Sequence, residues 1–199
     1  MNKKVIIIGA SGHGRVIADI VHRCGDILIG YLDDRPPECF PGLNVLGRVS
    51  DVIFAQPDTS FIIGIGNNRI RESIAERYPN LRYYTAIHPT AVIGENVEIC
   101  EGTAIMANAV LNTGCRIGKH SIINTASTID HDDVLEEFVH ISPGAHISGT
   151  VRIGKGTWIG VGASVVNNVA IANNCMIGAG AVVVKNIEKP GIYKGVPAK

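Results

Sequence analysis

From residue 87 the chain keeps one rule without interruption: every sixth residue is aliphatic. Ile87, Ile93, Ile99, Ile105, Leu111, Ile117, Ile123, Ile129, Leu135, Ile141, Ile147, Ile153, Ile159, Val165, Ile171, Ile177 and Val183 make seventeen consecutive units. With Ile, Leu and Val at 56 of 199 positions, chance gives such a run with odds on the order of one in a billion. Four residues after each aliphatic comes a small or β-branched residue, from Ala91, Val97 and Thr103 through to Ile187. The two positions lie two apart across successive units, so on a strand they share a face and both point into a core. Three residues after each aliphatic stands Gly or Asn in eleven of the seventeen units, the two residues that best tolerate a left-handed backbone. A short strand plus a left-handed turn every six residues predicts a three-sided parallel β-helix with eighteen residues per coil. Seventeen units give almost six coils, roughly 28 Å at ordinary strand spacing.

Residues 1–86 follow a different pattern. Val5–Ile8 is a short apolar run suited to a buried parallel strand, and Gly9–Gly14 (GASGHG) is a glycine-rich turn. Arg15–Cys24 is aliphatic at 16, 17, 20 and 21 and predicts a helix. Further strands are expected at Ile27–Leu32 and Phe61–Ile65. A loop around a short strand near 45 fills 35–50, and a helix is expected at about 69–77. Alternating strands and helices imply a small parallel sheet. The expected organisation is an α/β Rossmann-like domain over 1–86 and an all-β solenoid over 87–199.

Composition agrees and narrows the function classes. The 29 Ile and 20 Val against 7 Leu favour strand. Eighteen basic residues balance eighteen acidic ones, which argues against nucleic acid or anionic membrane as partner. The five cysteines form no CxxC pair and fit free thiols in a reducing cytoplasm. The N-terminus is too short in apolar residues for a signal peptide core, and no run approaches a membrane span.

The repeat breaks its own rules in one block. His120, Ala126, Asp132 and Phe138 fill four consecutive turn positions otherwise favoured by Gly and Asn. No Lys or Arg occurs between 119 and 152, whereas Asp130, Asp132, Asp133, Glu136 and Glu137 do. Asp133 is the one charged residue at an inward small position. Local rules are broken where function demands it. His131 stands inside this block, at a corner.

The hexapeptide pattern is similar to that of the hexapeptide-repeat acyltransferases. GASGHG, LDD (32–34), IGNN (65–68), IHPTAVIG (87–94), the DHD segment (130–132) and KGVPAK (194–199) extend the match over nearly the whole chain. Together they resemble the sugar-nucleotide N-acetyltransferases of bacillosamine type and the related sialic-acid O-acetyltransferases. The resemblance implies a left-handed β-helix, a homotrimer, and acetyl-CoA lying between neighbouring prisms. It implies an acetyl transfer to the amine of a nucleotide-linked amino sugar. A sugar hydroxyl is the rival acceptor.

By that match His131 is the general base and Asp132 its supporting acid; a positioned His is the commonest base near neutral pH. His140 meets acetyl-CoA near the acetyl carbonyl, and Val161 and Ala179 line the pantetheine channel. Ser11, Gly12 and His13 meet the phosphates or sugar. Asp33, Asp34 and Gly66 meet the nucleoside side, with Asn67 and Asn68 beside them. On spacing alone His140 is an outward surface residue; His88 and His146 match no family position and stay surface residues by default. Cys115 and Cys175 fall at inward positions and read as core packing rather than an acyl-cysteine route. No metal is expected, since no pair of histidines at 88, 120, 131, 140 and 146 has the stacking interval of 18 or 36. Lys185, Lys189, Lys194 and Lys199 either meet the 3′-phosphate of CoA or serve solubility. An oxidoreductase built on the N-terminal half is disfavoured, because Ser11 stands where a dinucleotide fingerprint needs Gly. A non-catalytic sensor is opposed by the intact repeat with its DHD segment.

Overall fold

The structure is a computed structural model that describes residues 2–36, 42–54 and 58–199. Strands β1 (Lys4–Ile8), β2 (Ile27–Leu32), β3 (Val45–Gly47) and β4 (Thr59–Ile63) form a sheet in the order β3-β2-β1-β4. Its pairings are parallel throughout. Helices α1 (Gly12–Arg23) and α2 (Asn68–Arg77) lie on opposite faces of it. The continuous aliphatic run of β1 has its reason here. Val5 and Ile7 pack with Ile17 and Val21 of α1, while Ile6 and Ile8 pack with Ala75 of α2.

Three boundaries differ from the sequence expectation. Helix α1 begins three residues early, because Arg15 N already bonds Ser11 O. Strand β4 runs 59–63 rather than 61–65, since it pairs with β1 along its whole length and β1 ends at Ile8. Part of the expected loop is a 3-10 helix at Val49–Phe54, opened by Asp34 Oδ1, which accepts from Val49 N at 3.0 Å. Cys39 lies outside the described residues; Cys24, Cys100, Cys115 and Cys175 are free.

The solenoid follows the periodicity residue for residue. Seventeen two-residue strands each end on one of the periodic aliphatics, from Ala86–Ile87 to Val182–Val183, and Ile192–Tyr193 adds one more. They stack at eighteen-residue intervals into parallel sheets of seven, six and five strands. Every periodic aliphatic from Ile105 to Val183 is buried, and so is every residue four later from Thr103 to Ile187. All fifteen turn positions from 96 to 180 have φ between 54° and 75°. His120, Ala126, Asp132, Phe138 and Thr150 thus adopt the left-handed conformation without being Gly or Asn.

The three faces differ in chemistry. Face 1 presents Ala86, Ala104, Ile122, His140, Trp158, Met176 and Ile192 outward. Face 2 presents Val92, Val110, Thr128, His146, Ser164 and Val182, none of them Asp, Glu, Lys or Arg. Face 3 presents Glu98, Arg116, Val134, Arg152 and Ala170. The N-terminal region docks on face 1, where Ala86, Ala104, Met106 and Ile122 join the core under α1.

A buried arginine fixes that docking on the α2 side. Arg71 is 1% exposed. Its guanidinium donates to His120 O (2.6 Å), Phe138 O (3.1 Å), Ile65 O (3.0 Å), Gly66 O (3.2 Å) and Asn68 Oδ1 (2.8 Å). The His120 ring stacks on Phe138 at 5.3 Å and meets the edge of Tyr83 at 4.4 Å. Two of the four broken turn positions therefore serve the junction between the two halves. Nothing in the structure explains Ala126.

Candidate functional site

His131 and Asp132 sit on the edge between faces 2 and 3, both half-exposed. His131 Nδ1 bonds Asp132 Oδ2 at 2.9 Å. With Nδ1–H donating to the carboxylate, Nε2 is left as the basic nitrogen. That hydrogen bond is the largest of the influences raising the His131 pKa, with Asp130, Asp132 and Asp133 adding field of the same sign. The corner is braced on both sides. Asp130 Oδ1 accepts from His131 N (2.8 Å) and from Asn112 Nδ2 (2.9 Å). Thr150 N bonds His131 O at 2.9 Å.

Glycines of the adjoining coils make room for both side chains. A β-carbon on Gly149, eighteen residues after His131, would lie 2.6 Å from His131 Nε2 and 2.7 Å from Cε1. A β-carbon on Gly114, eighteen before Asp132, would lie 2.7 Å from Asp132 Oδ1. Gly149 has no left-handed backbone that would itself require glycine. Gly149→Ala should therefore fold with a near-normal Tm while tilting the imidazole off Asp132. The expected sign is a fall in the His131 pKa by NMR titration; an unchanged value would mean the ring does not rest there.

His140 lies on face 1, and the structure corrects its expected surface position. It points away from the prism core as the period requires, but the N-terminal region covers it, leaving 5% exposed. Trp158, eighteen residues later, stacks on it with centroids 4.9 Å apart. Asn124 Nδ2 donates to His140 Nε2 at 3.2 Å, and Nδ1 has no partner. Burial first, then Arg71 and His13, push His140 down to about 3. His13 is 6.4 Å away, also driven down by burial, to about 4, with Nε2 buried and unpartnered. Both rings are neutral near pH 7. His88 is buried as well, bonded through Nδ1 to Thr90 Oγ1 at 2.9 Å, whereas His146 is exposed. Trp158 is the contact that sequence reasoning missed, although its eighteen-residue offset from His140 carried the signal.

Val161 and Ala179 stack eighteen residues apart on the edge between faces 1 and 2, both exposed, with Gly180 N bonding Val161 O at 2.8 Å. Their neighbours are Gly160, Gly162, Gly178 and Gly180, so the two side chains stand on this edge between glycines.

The glycine turn and its neighbours gather at the C-terminal ends of β1, β2 and β4, where open parallel sheets take ligands. Gly14 packs so closely on Gly9 that a β-carbon would meet Gly9 O. Ser11 and Gly12 are exposed at the start of α1, and a β-carbon on Gly12 would meet nothing. Asp33 holds the cradle together, accepting from Ala10 N and from Arg35 N, each at 2.7 Å. Gly66 is half-buried beside Asn67, which caps α2 through Ile70 N at 3.1 Å. Asn68 is buried, donating to Gly156 O at 2.9 Å and Thr157 O at 3.3 Å, so it ties α2 to the prism. Within one chain, His140, His13 and the cradle meet on face 1. His131 and Asp132 stand on the edge opposite that face.

Among the described residues no helix is long and apolar enough to cross a membrane, and no group of three or more His, Cys, Asp or Glu is placed to hold a metal ion. Comparison with known proteins gives a consistent result. A PglD N-terminal domain signature matches residues 4–78, and six bacterial transferase hexapeptide repeats match 150–185. UDP-N-acetylbacillosamine N-acetyltransferase of Bacillus subtilis is 35% identical over 53% of this chain and 52% of its own length, so the match spans about half of that relative. The acetyltransferase domain of PglB from Neisseria gonorrhoeae, solved with acetyl coenzyme A, superposes with TM-score 0.95 at 38% identity, over 100% of this chain and 99% of that one. Perosamine N-acetyltransferase from Caulobacter crescentus has a histidine-to-asparagine variant solved with CoA and GDP-perosamine. It gives TM-score 0.92 at 33% identity over 98% of this chain and 95% of that one. The chain belongs to the hexapeptide-repeat acetyltransferases that carry a PglD N-terminal domain.

Proposed function

We propose that the protein transfers the acetyl group of acetyl-CoA to the amine of a nucleotide-linked amino sugar, with His131 as general base. The observation that carries this is the His131–Asp132 hydrogen bond, which engages Nδ1 and leaves a basic Nε2 at an accessible edge. The amine nitrogen attacks the thioester carbonyl while Nε2 takes its proton. The tetrahedral intermediate expels the CoA thiolate, and the imidazolium returns the proton to sulfur, leaving amide and thiol. Asp132 holds the tautomer and stabilises the imidazolium. Residues 1–86 hold the nucleotide sugar, with Ser11, Gly12 and His13 on the phosphates or sugar. At a pKa near 4 His13 acts there as a neutral donor, not a cation. Asp33, Asp34 and Gly66 set the nucleoside side. Residues 87–199 hold acetyl-CoA, whose extended pantetheine arm fits the glycine-flanked edge at Val161 and Ala179, with His140 in its neutral form beside it.

The two edges flank face 2, so residues far apart within one chain can meet across a junction between chains. If the uncharged face 2 turns toward a three-fold axis, cyclic closure sets the 2/3 edge of one chain against the 1/2 edge of the next. His131 then faces the Val161–Ala179 edge of its neighbour. This supports a homotrimer with one site at each junction. The free cysteines support a reducing, cytoplasmic setting.

The test is thiol release from acetyl-CoA over UDP-, GDP- and CMP-linked sugars with and without a free amine, alongside light scattering. The expected result is turnover confined to amine-bearing sugars by a particle of three 21.1 kDa chains. Turnover on hydroxyl-only sugars would replace the amine with a hydroxyl acceptor. A fully active monomer would remove the shared site.

A further inference from the structure

Beneath the His131–Asp132 pair lies a carboxyl that the reaction as described does not use. Asp133 occupies the inward small position of its unit, where the other sixteen units carry Ala, Val, Thr, Cys, Ser or Ile. It is fully buried. No cation pairs with it among the described residues. Its oxygens are instead held by backbone: Oδ1 accepts from Val151 N at 2.7 Å, and Oδ2 from Asp130 N at 3.1 Å. A buried acid without a counter-ion is costly to keep, and a neutral residue suffices at every equivalent corner.

Its two bonds meet the segments that carry the dyad. Asp130, clamped through its N–H, is the residue whose Oδ1 receives His131 N. Val151 follows Gly149 and Thr150, the corner on which the imidazole rests and which bonds His131 O. Asp133 thereby joins, from inside the prism, the coil that bears His131 and the coil that floors it.

We propose that Asp133 is a positioning residue for His131, its buried carboxyl fixing from within the corner that holds the imidazole against Asp132. This rests on the reading of His131 as the base. The ionisable groups facing Asp133 are few. Asp130, His131 and Asp132 share its corner, and Cys115, which bonds Asp130 O, packs from the coil before. The coil after contributes Gly149, Thr150 and Val151, none of which ionises. Arg116 and Arg152 point outward on face 3.

The prism itself supplies the control substitution. At Thr157, an inward position of another corner, the hydroxyl accepts from Cys175 N at 3.1 Å and donates to Ala172 O at 2.8 Å. Threonine thus caps the N–H of the next coil without a charge, and Asp133→Thr should fold. Burial pushes the Asp133 carboxyl up to about 7. Folding therefore takes up a proton there, and the stability it contributes falls as pH rises from about 4 through 7. Asp133→Thr should gain in Tm relative to the parent as pH rises from 5 to 8.

The experiment follows His131 by NMR in the full chain, with kcat, KM and Tm on the same samples. In Asp133→Thr the corner loosens the hydrogen bond to Asp132, so the His131 pKa should fall, kcat should fall about three- to tenfold, and KM for acetyl-CoA should hold. A parental His131 pKa in a folded Asp133→Thr protein would overturn the proposal and leave Asp133 as a cap for Val151. A lowered pKa with parental kcat would uphold the link between Asp133 and His131, and would instead overturn His131 as the base.

Discussion

His131→Ala is expected to lose roughly 10²–10⁴ of turnover, the usual worth of a positioned general base, while both substrates still bind. The proposed binding elements lie elsewhere: the sugar cradle at the ends of β1, β2 and β4, and the pantetheine edge at Val161 and Ala179. His131 is half-exposed at a corner whose backbone bonds do not involve the ring, so the variant should fold and assemble. Asp132→Asn should lose less, since the amide can still hold the ring but carries no charge. The hydrogen bond to Asp132 raises the His131 pKa. The basic limb of the rate profile therefore rises with pH through that raised value, because only neutral imidazole accepts a proton. In Asp132→Asn the limb should move to lower pH, compared on one substrate so that the titration of the amine cancels. Near-parental turnover in a folded His131→Ala protein would mean that the amine arrives deprotonated and the prism contributes only positioning.

The second large effect is structural. Arg71→Met should destabilise the attachment of the N-terminal region by about 3–5 kcal/mol. It removes the buried donor group and strands the carbonyls of His120 and Phe138 without a partner. Arg71→Lys should recover little, because one ammonium cannot reach acceptors spread over α2, the Ile65–Gly66 turn and two coils. Burial already lowers the Arg71 pKa to about 9, so the guanidinium gains little from its charge and much from its five bonds. The prism core from Ile105 to Val183 does not include Arg71. Proteolysis should therefore cut residues 1–86 of Arg71→Met first and leave a resistant solenoid. A parental Tm with uniform protease resistance would overturn this account.

The solenoid was legible because its period is geometric: each coil repeats the same inward positions, and hydrophobicity reports them directly. The N-terminal strands were legible as apolar runs, with β2 ending where expected at both ends, but the bounds of β4 were not, because pairing with β1 rather than local propensity sets where β4 begins. In the site the result is mixed. The broken turns at 120, 126, 132 and 138 read as one block in the sequence, but the structure gives them different settings and leaves Ala126 without one. Asp132 is left-handed beside its histidine, whereas His120 and Phe138 bind Arg71. Sequence could not separate them, since Arg71 lies 49 residues before His120 and 67 before Phe138 and has no periodic relation to either. His140 failed in the opposite way. Its direction was right and its burial wrong, because the repeat determines which way a side chain leaves the prism but not what covers it. Asp33 and Asn68 were expected at the ligand, and the structure gives both a framework bond as well.

The eighteen-residue stacking also sets which changes of length the chain can survive. Lengthening the solenoid by one hexapeptide after Ser148 would rotate everything downstream by one face. Trp158 would leave His140, Gly149 would leave His131, and Val161 and Ala179 would move together onto the next edge of the prism. Adding eighteen residues at the same corner restores every face and only lengthens the prism by one coil. Viable length variants of this chain should therefore differ within the prism by whole coils, and shorter insertions should appear only as excursions that leave and re-enter at a single corner.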